Sequence, residues 1–501
     1  MADHVDLHAY ISGRASAPAM ITALRATAAR SQGAVLQRLR ESGRAARARA
    51  LWIDNSVAVS VPGNMLADLA ALPGVDRVEF DEPVVMADAT PSQAVDADPT
   101  WNILKVRASD VWSSLGFDGT GVLIGSMDTG FDPAHPALAG KWRGGANSWI
   151  DIINGLPSPY DDHGHGTHTI GTMVGGDGAG PSTADIGVAY GAHFISAKVL
   201  DATNSFSSAS IVIAGAQWML DPDGNPTTND FPQVINNSWL FFNQTYTGFY
   251  STTAAWRAAG IIPVFCIAND GPSPSTTHPP GNYDNVLGVG ATDQSDVIAS
   301  FSSRGPAPPG VDFPADGRKP DLSAPGVAVI SSVPGGGYQA WNGTSMASPH
   351  VAGILALMIQ AHPGLTYDQA KVALVNTAVD LGTPGYDYDY GYGRVDALGA
   401  VLAQTTDVPA LGGAHGPALA IRPNPFREAV TLELSTSGPS GIEVRIFDLQ
   451  GRCVWSTPGR SGEVVRWDGR ESGGATAPAG LYFVNATDGH AAVTLRAVRL
   501  R

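Results

Sequence analysis

Three segments, far apart along the chain, hold the side chains from which a nucleophile, a proton carrier and an orienting carboxylate can be assembled. The stretch GTSMASPHVAG, residues 343–353, carries Ser345 after a Gly-Thr step and His350 five positions later. The stretch DDHGHGTHTIGTMVGG, residues 161–176, offers His163, His165 and His168. The stretch IGSMDTGFDPAHP, residues 124–136, puts Asp128 at the end of an apolar run. Serine, histidine and aspartate together suit nucleophilic acyl transfer, in which histidine deprotonates the hydroxyl and aspartate fixes the imidazole tautomer.

Spacing sorts these candidates. Ser345 and His350 fall on one helix, and five residues turn the second side chain well round the axis, so His350 is not the partner of Ser345. Proline is at home in a first helical turn, so the helix is expected to start close to Ser345, with Ser348 and Pro349 in that turn and His350 buried. A serine there sits among outward-pointing N–H groups that favour a developing negative charge. His165 and His168 are three apart with Gly166 and Thr167 between them. A zinc peptidase needs His-Glu-x-x-His, so both the spacing and the general-base glutamate are missing, and no metal ligands are assigned. Asp128 closes an apolar strand, and in parallel sheets the carboxyl ends of strands open on the ligand crevice. The chain order Asp128, His165, Ser345 is one of the orders in which a serine triad is built.

The elements that must position these residues lie between Trp101 and Gln404. Apolar runs such as GVLIGSMDTG, AHFISAKVL, QVINNSWLF, IIPVFCIAND and NVLGVGATD alternate with helical stretches. That pattern predicts an α/β fold with a parallel sheet covered on both faces. Residues 1–86 read as a small α+β unit: a helix from about 18 to 43, a strand in ALWIDNSVAVSV, a short helix in GNMLADLAALPGV and a strand in VDRVEFDEPV. Residues 421–501 read as a β-sandwich of short alternating strands. Polar, aperiodic linkers are expected at 87–100 and 405–420.

Of the 501 residues, 44% are hydrophobic and 15% charged, and the net charge is −16. That balance argues against nucleic acid or an anionic membrane as partner. No run has the length of a membrane span. Cys266 and Cys453 are expected as unpaired thiols. The first residues show neither a basic nor an apolar leader region, so no signal peptide is legible.

The motifs DTGFDPAHP, HGTHTIGTMVGG and GTSMASPHVAG together resemble those of the subtilisin-family (S8) serine peptidases, over essentially all of 101–404. NNSW, AWRAAGIIPVF, ASFSSRGP, KPDLSAPGV and SSVPGGGY are similar to the bacillopeptidase F branch. The resemblance implies a serine endopeptidase with Asp128, His165 and Ser345 as triad, acting on proteins and peptides without a cofactor for the chemistry. It implies Asn269, in FCIANDGP, as oxyanion donor, here preceded by Ala268 where the family has glycine. It implies Ser238, Trp239 and Leu240, in NNSWLF, as the strand that pairs with substrate, with Leu240 where the branch usually has glycine. Structural calcium is common in the family; no matching loop is legible here, and Asp387 and Asp389 read as a solvated turn. Residues 1–86 resemble the family's inhibitor-type propeptide, which implies self-cleavage in the linker and an intramolecular inhibitor. RPNPFREAV, IFDLQGRCVW, WDGRESGG and AGLYFV resemble Ig-like modules of hook-cap and bacterial secretion-sorting domains. These features imply a monomeric zymogen, secreted or at the cell surface of a bacterium. The contrasting expectation is a catalytically silent surface or adhesion protein that keeps the fold.

Overall fold

The computed structural model describes residues 1–500 except 12–15, 87–89, 93–97, 179–184, 203–205, 405–417, 423, 425, 436–440, 449–451, 461 and 488–491. Most of the expected linker 405–420 and part of the linker 87–100 therefore lie outside the described residues. The chain divides into two compact units, Met1–Ala397 and Leu398–Arg501.

The first unit begins with helices α1 (His8–Ile11), α2 (Ala17–Ser31) and α3 (Gly33–Glu41). The single helix expected over 18–43 is thus two, broken at Gln32. The Gln32 side chain is buried there and its Nε2 donates to the carbonyls of Leu51 and Ser56 and to Asn55 Oδ1. Those bonds tie the helix pair to a hairpin of β1 (Arg49–Leu51) and β2 (Ser56–Ala58). Helix α4 (Leu66–Ala70) follows. Of the strand expected in VDRVEFDEPV, only β3 (Pro83–Met86) forms; residues 76–82 carry no regular structure. Then come β4 (Thr90–Ser92), α5 (Trp101–Lys105) and α6 (Ala108–Leu115).

The central layer is a parallel sheet. Its strands are β5 (Leu123–Asp128), β6 (Trp149–Asp151), β7 (His193–Lys198), β9 (Val234–Asn237), β11 (Ile262–Cys266), β12 (Leu287–Thr292) and β13 (Leu322–Pro325). They lie in the order β13-β12-β11-β9-β5-β7-β6. Their residues are buried almost throughout, as strands covered on both faces require. Helices α7 (His165–Val174), α8 (Ala209–Leu220), α9 (Tyr250–Ala258) and α10 (Thr344–Ala361) pack on the sheet, α11 (Tyr367–Thr377) follows, and α12 (Ala397–Gln404) spans the boundary between the two units. Helix α10 is apolar nearly all round and packs on α7, β9, β11 and β12, which makes it the central core helix.

Two short antiparallel sheets flank this core. Strand β3 lies between β8 (Phe206–Ser208) and β10 (Trp239–Phe241), and β4 pairs with β15 (Gly337–Asn342), which itself pairs with β14 (Val329–Val333). The N-terminal elements share their core with the sheet. Met20, Ile21, Leu24, Leu51 and Ile53 belong to one buried cluster with Val212, Ile213, Ala216, Met219 and Leu220 of α8.

In the second unit, β16 (Ala418–Arg422), β17 (Val430–Ser435) and β20 (Val464–Trp467) form one antiparallel sheet. Strands β18 (Ile442–Phe447), β19 (Cys453–Gly459), β21 (Gly480–Thr487) and β22 (Ala492–Arg499) form another. Phe426, Leu432, Val444, Trp467, Tyr482 and Val484 make the buried layer shared by the two sheets. Cys266 is buried and Cys453 exposed, and neither is in a disulfide.

Candidate active site

Asp128 is the last residue of β5, at the carboxyl end of the parallel sheet. Its Oδ1 accepts from His165 Nδ1 at 2.7 Å and from the Thr129 N–H at 2.7 Å, and its Oδ2 accepts from Thr169 Oγ1 at 3.3 Å. Both the aspartate and the histidine side chains are buried. The bond needs a proton on Nδ1, so in the neutral imidazole Nε2 carries the lone pair; among the described residues Nε2 is a buried atom without a hydrogen-bond partner. This is the arrangement of a base poised for a proton from elsewhere.

His165 opens α7, and the helix start is set by Asp161, a residue that the motifs alone do not single out. Asp161 accepts from the N–H groups of His163, Gly164 and Thr167 and from the hydroxyls of Thr129 and Thr167, all at 2.6–3.0 Å. Burial alone would raise its carboxyl; the donors from Thr167, Gly164 and His163 outweigh it and hold the group below the usual carboxylate range. The signal for it was present, an acidic residue just ahead of a helix start. Fully buried Lys198, register partner of Asp128, donates from Nζ to Asp162 and to the carbonyls of Thr129 and Leu200. Helix α7 closes directly on the Asp128–Gly130 turn: a Cβ on Gly166 would stand 2.1 Å from the Gly130 carbonyl oxygen. Only glycine permits that approach.

His168 does not face Asp128. Its Nε2 donates to the carbonyls of Val329 and Gln339, 3.1 Å each, tying α7 to β14 and β15. Its ring stacks on Trp341 at 4.9 Å, and Trp341 also lies 6.3 Å from the ring of His165. Burial pushes the His168 imidazole down to about 3, so it stays neutral. His350 likewise turns away from Ser345, with Nδ1 on the Met346 carbonyl and Nε2 accepting from Asn102 Nδ2.

Ser345 is the second residue of α10, whose N-cap is Gly343. The helix starts early enough that Pro349 lies inside it rather than in its first turn, which corrects the expected position of Ser348 and Pro349. A proline there has no N–H for the carbonyl four residues back, that of Ser345. Ser238 supplies the missing donor: its Oγ bonds the Ser345 carbonyl at 3.0 Å, while Ser345 Oγ donates to the Ser238 carbonyl at 3.4 Å. Met346, next in sequence, packs on Trp341, which brings the start of α10 beside the His165 neighbourhood.

Asn269 Oδ1 accepts from both the N–H and the hydroxyl of Thr344, each at 2.9 Å. These bonds fix which end of the amide is which and leave Nδ2 as its donor end, beside the start of α10. Ala268 just before it has φ of +94°, a conformation that glycine takes without strain.

Of the three residues read as the substrate strand, two have side chains already engaged within the fold. The Ser238 hydroxyl is turned inward to Ser345, and the Trp239 ring sits among Phe241, Phe249 and Phe265. Leu240 faces the other way, onto Cys266 and Ala268. Burial pushes the Cys266 thiol up to about 12, so it is no nucleophile.

Asp387 accepts from the N–H groups of Thr383, Asp389 and Tyr390 and so closes its own turn. Among the described residues, Asp221, Asp223 and Asp230 are the acidic group close enough to share a cation, with ligand atoms within 4.8 Å of one another. Carboxylates suit calcium. Here Asp221 already pairs with Arg25 and Asp223 accepts from Asn225 and Thr228, so the residues present do not form an open calcium cage.

Comparison with known proteins agrees with this geometry. Residues 119–393 match the model of the subtilase family, Peptidase S8. Bacillopeptidase F of Bacillus subtilis (strain 168) is 36% identical over 432 residues, which cover 79% of this chain and 29% of that protein. Subtilisin E of the same organism is 33% identical over 309 residues, 60% of this chain and 70% of that one. Alkaline elastase YaB of Bacillus sp. (strain YaB) is 34% identical over 330 residues, 65% and 76% of the two chains. The chain thus spans less than a third of bacillopeptidase F and the greater part of the other two. With its parallel sheet, its Asp128–His165 pair and this match across the central domain, the chain belongs to the subtilase family of serine-type endopeptidases.

Proposed function

We propose that this chain is a secreted serine endopeptidase, made as a self-processing zymogen, with Asp128, His165 and Ser345 as its triad. The observation that carries this reading is the buried 2.7 Å bond from His165 Nδ1 to Asp128, which leaves Nε2 as a base with no hydrogen-bond partner among the described residues. Ser345 Oγ attacks the scissile carbonyl as Nε2 takes its proton, and Asp128 stabilises the imidazolium. The tetrahedral oxyanion accepts from Asn269 Nδ2 and from the Ser345 N–H at the start of α10. Collapse expels the amine, which takes the proton from His165. Water then attacks the acyl-enzyme with His165 again as base, and the acid leaves.

Residues 1–86 serve as propeptide, 101–404 as peptidase domain and 421–501 as an Ig-like module, joined by linkers at 87–100 and 405–420. Strand β3 lies antiparallel on β10, with Trp239 opposite Met86 and Leu240 opposite Val85, as an added substrate strand would. Strand β4 lies on β15, with Asn342 opposite Thr90. Met86 and Thr90 thus flank the neighbourhood of Ser345, and processing falls between them. Substrates are proteins and peptides, and the chemistry needs no cofactor. Among the described residues no helix is long and apolar enough to cross a membrane. The resemblance of the C-terminal module to sorting domains supports export.

Casein hydrolysis and N-terminal sequencing of wild type and Ser345→Ala test this. The expected result is hydrolysis and a new N-terminus within 87–90 for wild type and neither for the variant. Equal shortening of both chains counts against self-processing. A wild type that neither cleaves casein nor takes a serine-directed phosphonate favours the silent surface protein.

A further inference from the structure

The geometry points to Leu240 as a plug in the pocket for the residue whose carbonyl is attacked, so that this peptidase cuts after small side chains and rejects aromatic ones. This rests on the peptidase reading above and names its substrate class.

A substrate strand that pairs with β10 as β3 does puts successive residues opposite Phe241, Leu240 and Trp239. The next residue falls opposite Ser238, whose carbonyl receives the Ser345 hydroxyl. That residue therefore carries the carbonyl nearest the nucleophile. Side chains alternate along a strand, so it shares a face with the residue two before it, the one opposite Leu240. In β3 that residue is Val85, and Val85 packs on Leu240, Cys266 and Ala268. Val84 and Met86, on the opposite face, join the large core instead.

The wall ahead of the attacked residue is thus the surface of Leu240, Cys266 and Ala268, next to Asn269. Leu240 is 6% exposed, and Cys266 and Ala268 are fully buried. These three form a small cluster of their own, separate from the core that takes Trp239 and Phe241. Leu240 cannot readily swing aside. Its neighbours Trp239 and Phe241 are locked by their rings in that core, and the Phe241 N–H is bonded to the Pro279 carbonyl at 2.8 Å. Glycine at 240 would leave this space open for a large side chain; leucine occupies it. The sequence itself continues after Met86 with Ala87, a side chain of one methyl.

The test uses the full-length chain, incubated until processing stops, with active sites titrated by a serine-directed phosphonate. Wild type, Leu240→Gly and Leu240→Ala are given acetyl-Val-Val-Met-Ala-p-nitroanilide and acetyl-Val-Val-Met-Phe-p-nitroanilide, and kcat/KM is expressed per titrated site. Wild type is expected to favour the alanine peptide by roughly 100-fold. Leu240→Gly is expected to shift that ratio toward phenylalanine by about 100-fold, with Leu240→Ala between, the range that pocket complementarity spans. Counting per titrated site removes any misfolded fraction, and the milder alanine variant stands in if the glycine variant gives no titratable sites. A wild type that prefers phenylalanine overturns the proposal, as does a ratio that stays within about twofold of wild type in the variants. Either result leaves the peptidase reading standing. A wild type with no titratable sites and no turnover overturns that reading itself.

Discussion

Ser238 and Ser345 are bonded to each other twice, from hydroxyl to carbonyl at 3.0 Å in one direction and 3.4 Å in the other. The first bond exists because Pro349 cannot donate to the Ser345 carbonyl. The Ser345 carbonyl is therefore held by Ser238, at the junction of β9 and β10, rather than by its own helix.

Ser238→Ala removes the hydroxyl that donates to the buried Ser345 carbonyl, at a cost of about 1–3 kcal/mol. Unfolding midpoints are expected to fall accordingly, and kcat to fall more than KM changes. Pro349→Ala restores an N–H to the helix, so the double variant is expected to recover part of the loss. Strictly additive effects in a double-mutant cycle would show the two residues to be independent.

Asn269→Leu removes the proposed oxyanion donor, and kcat is expected to drop about 10²–10³-fold, a magnitude that itself comes from a subtilisin. Thr344→Val removes one of the two bonds on Asn269 Oδ1 without touching the donor. A smaller fall in kcat, with KM held, is expected from steady-state kinetics on a peptide anilide. An unchanged kcat in Thr344→Val would mean that the backbone bond alone positions the amide.

Ala268→Gly is expected to stabilise the fold. A non-glycine residue at φ of +94° costs on the order of 1–3 kcal/mol, whereas the added freedom of glycine in the unfolded chain costs about 0.4–1 kcal/mol. Relief of strain outweighs that added freedom, so the thermal midpoint should rise. A lower midpoint would place the strain elsewhere.

Acid is expected to destabilise the central domain through two histidines. Burial pushes His168 down to about 3 and His350 to about 4, against 6.5 when exposed. Above pH 6.5 both states hold them neutral and they contribute no pH dependence. Below it the unfolded chain takes up protons that the folded one refuses, so their contribution to stability falls as pH drops from 6.5 toward 4, and toward 3 for His168. Each adds a slope of up to about 1.4 kcal/mol per pH unit. Urea titrations of the Ser345→Ala chain at pH 7.5, 5.5 and 4.5 measure the slope, and His350→Gln should remove one proton's worth.

The parallel sheet was legible because β5, β7, β9, β11 and β12 each carry an apolar run, and Asp128 could be set at a strand end for the same reason; β6 and β13, WID and LSAP, carry no such run. What the sequence concealed depends on contacts across long separations. Gln32 breaks a helix whose local pattern runs on, because its amide is claimed by Leu51, Asn55 and Ser56. Residues 76–82 alternate as a strand should yet form none, since alternation does not supply a neighbouring edge. Pro349 looked like a first-turn residue because its compensation, Ser238, lies 111 positions earlier. Trp341 and Lys198 carry no motif at all; only the fold brings them to His165 and to the Asp128 turn.

Helix α8 meets the N-terminal elements through Val212, Ile213, Ala216, Met219 and Leu220, packed with Met20, Ile21, Leu24, Leu51 and Ile53. The proposed cut between Met86 and Thr90 would leave that contact in place. A nicked molecule would stay a two-piece complex, held by a greasy seam that Val84 and Met86 also join. Were the small piece lost, an apolar stripe on α8 would face water, a sticky surface that the remaining piece would have to tolerate, hide or put to use.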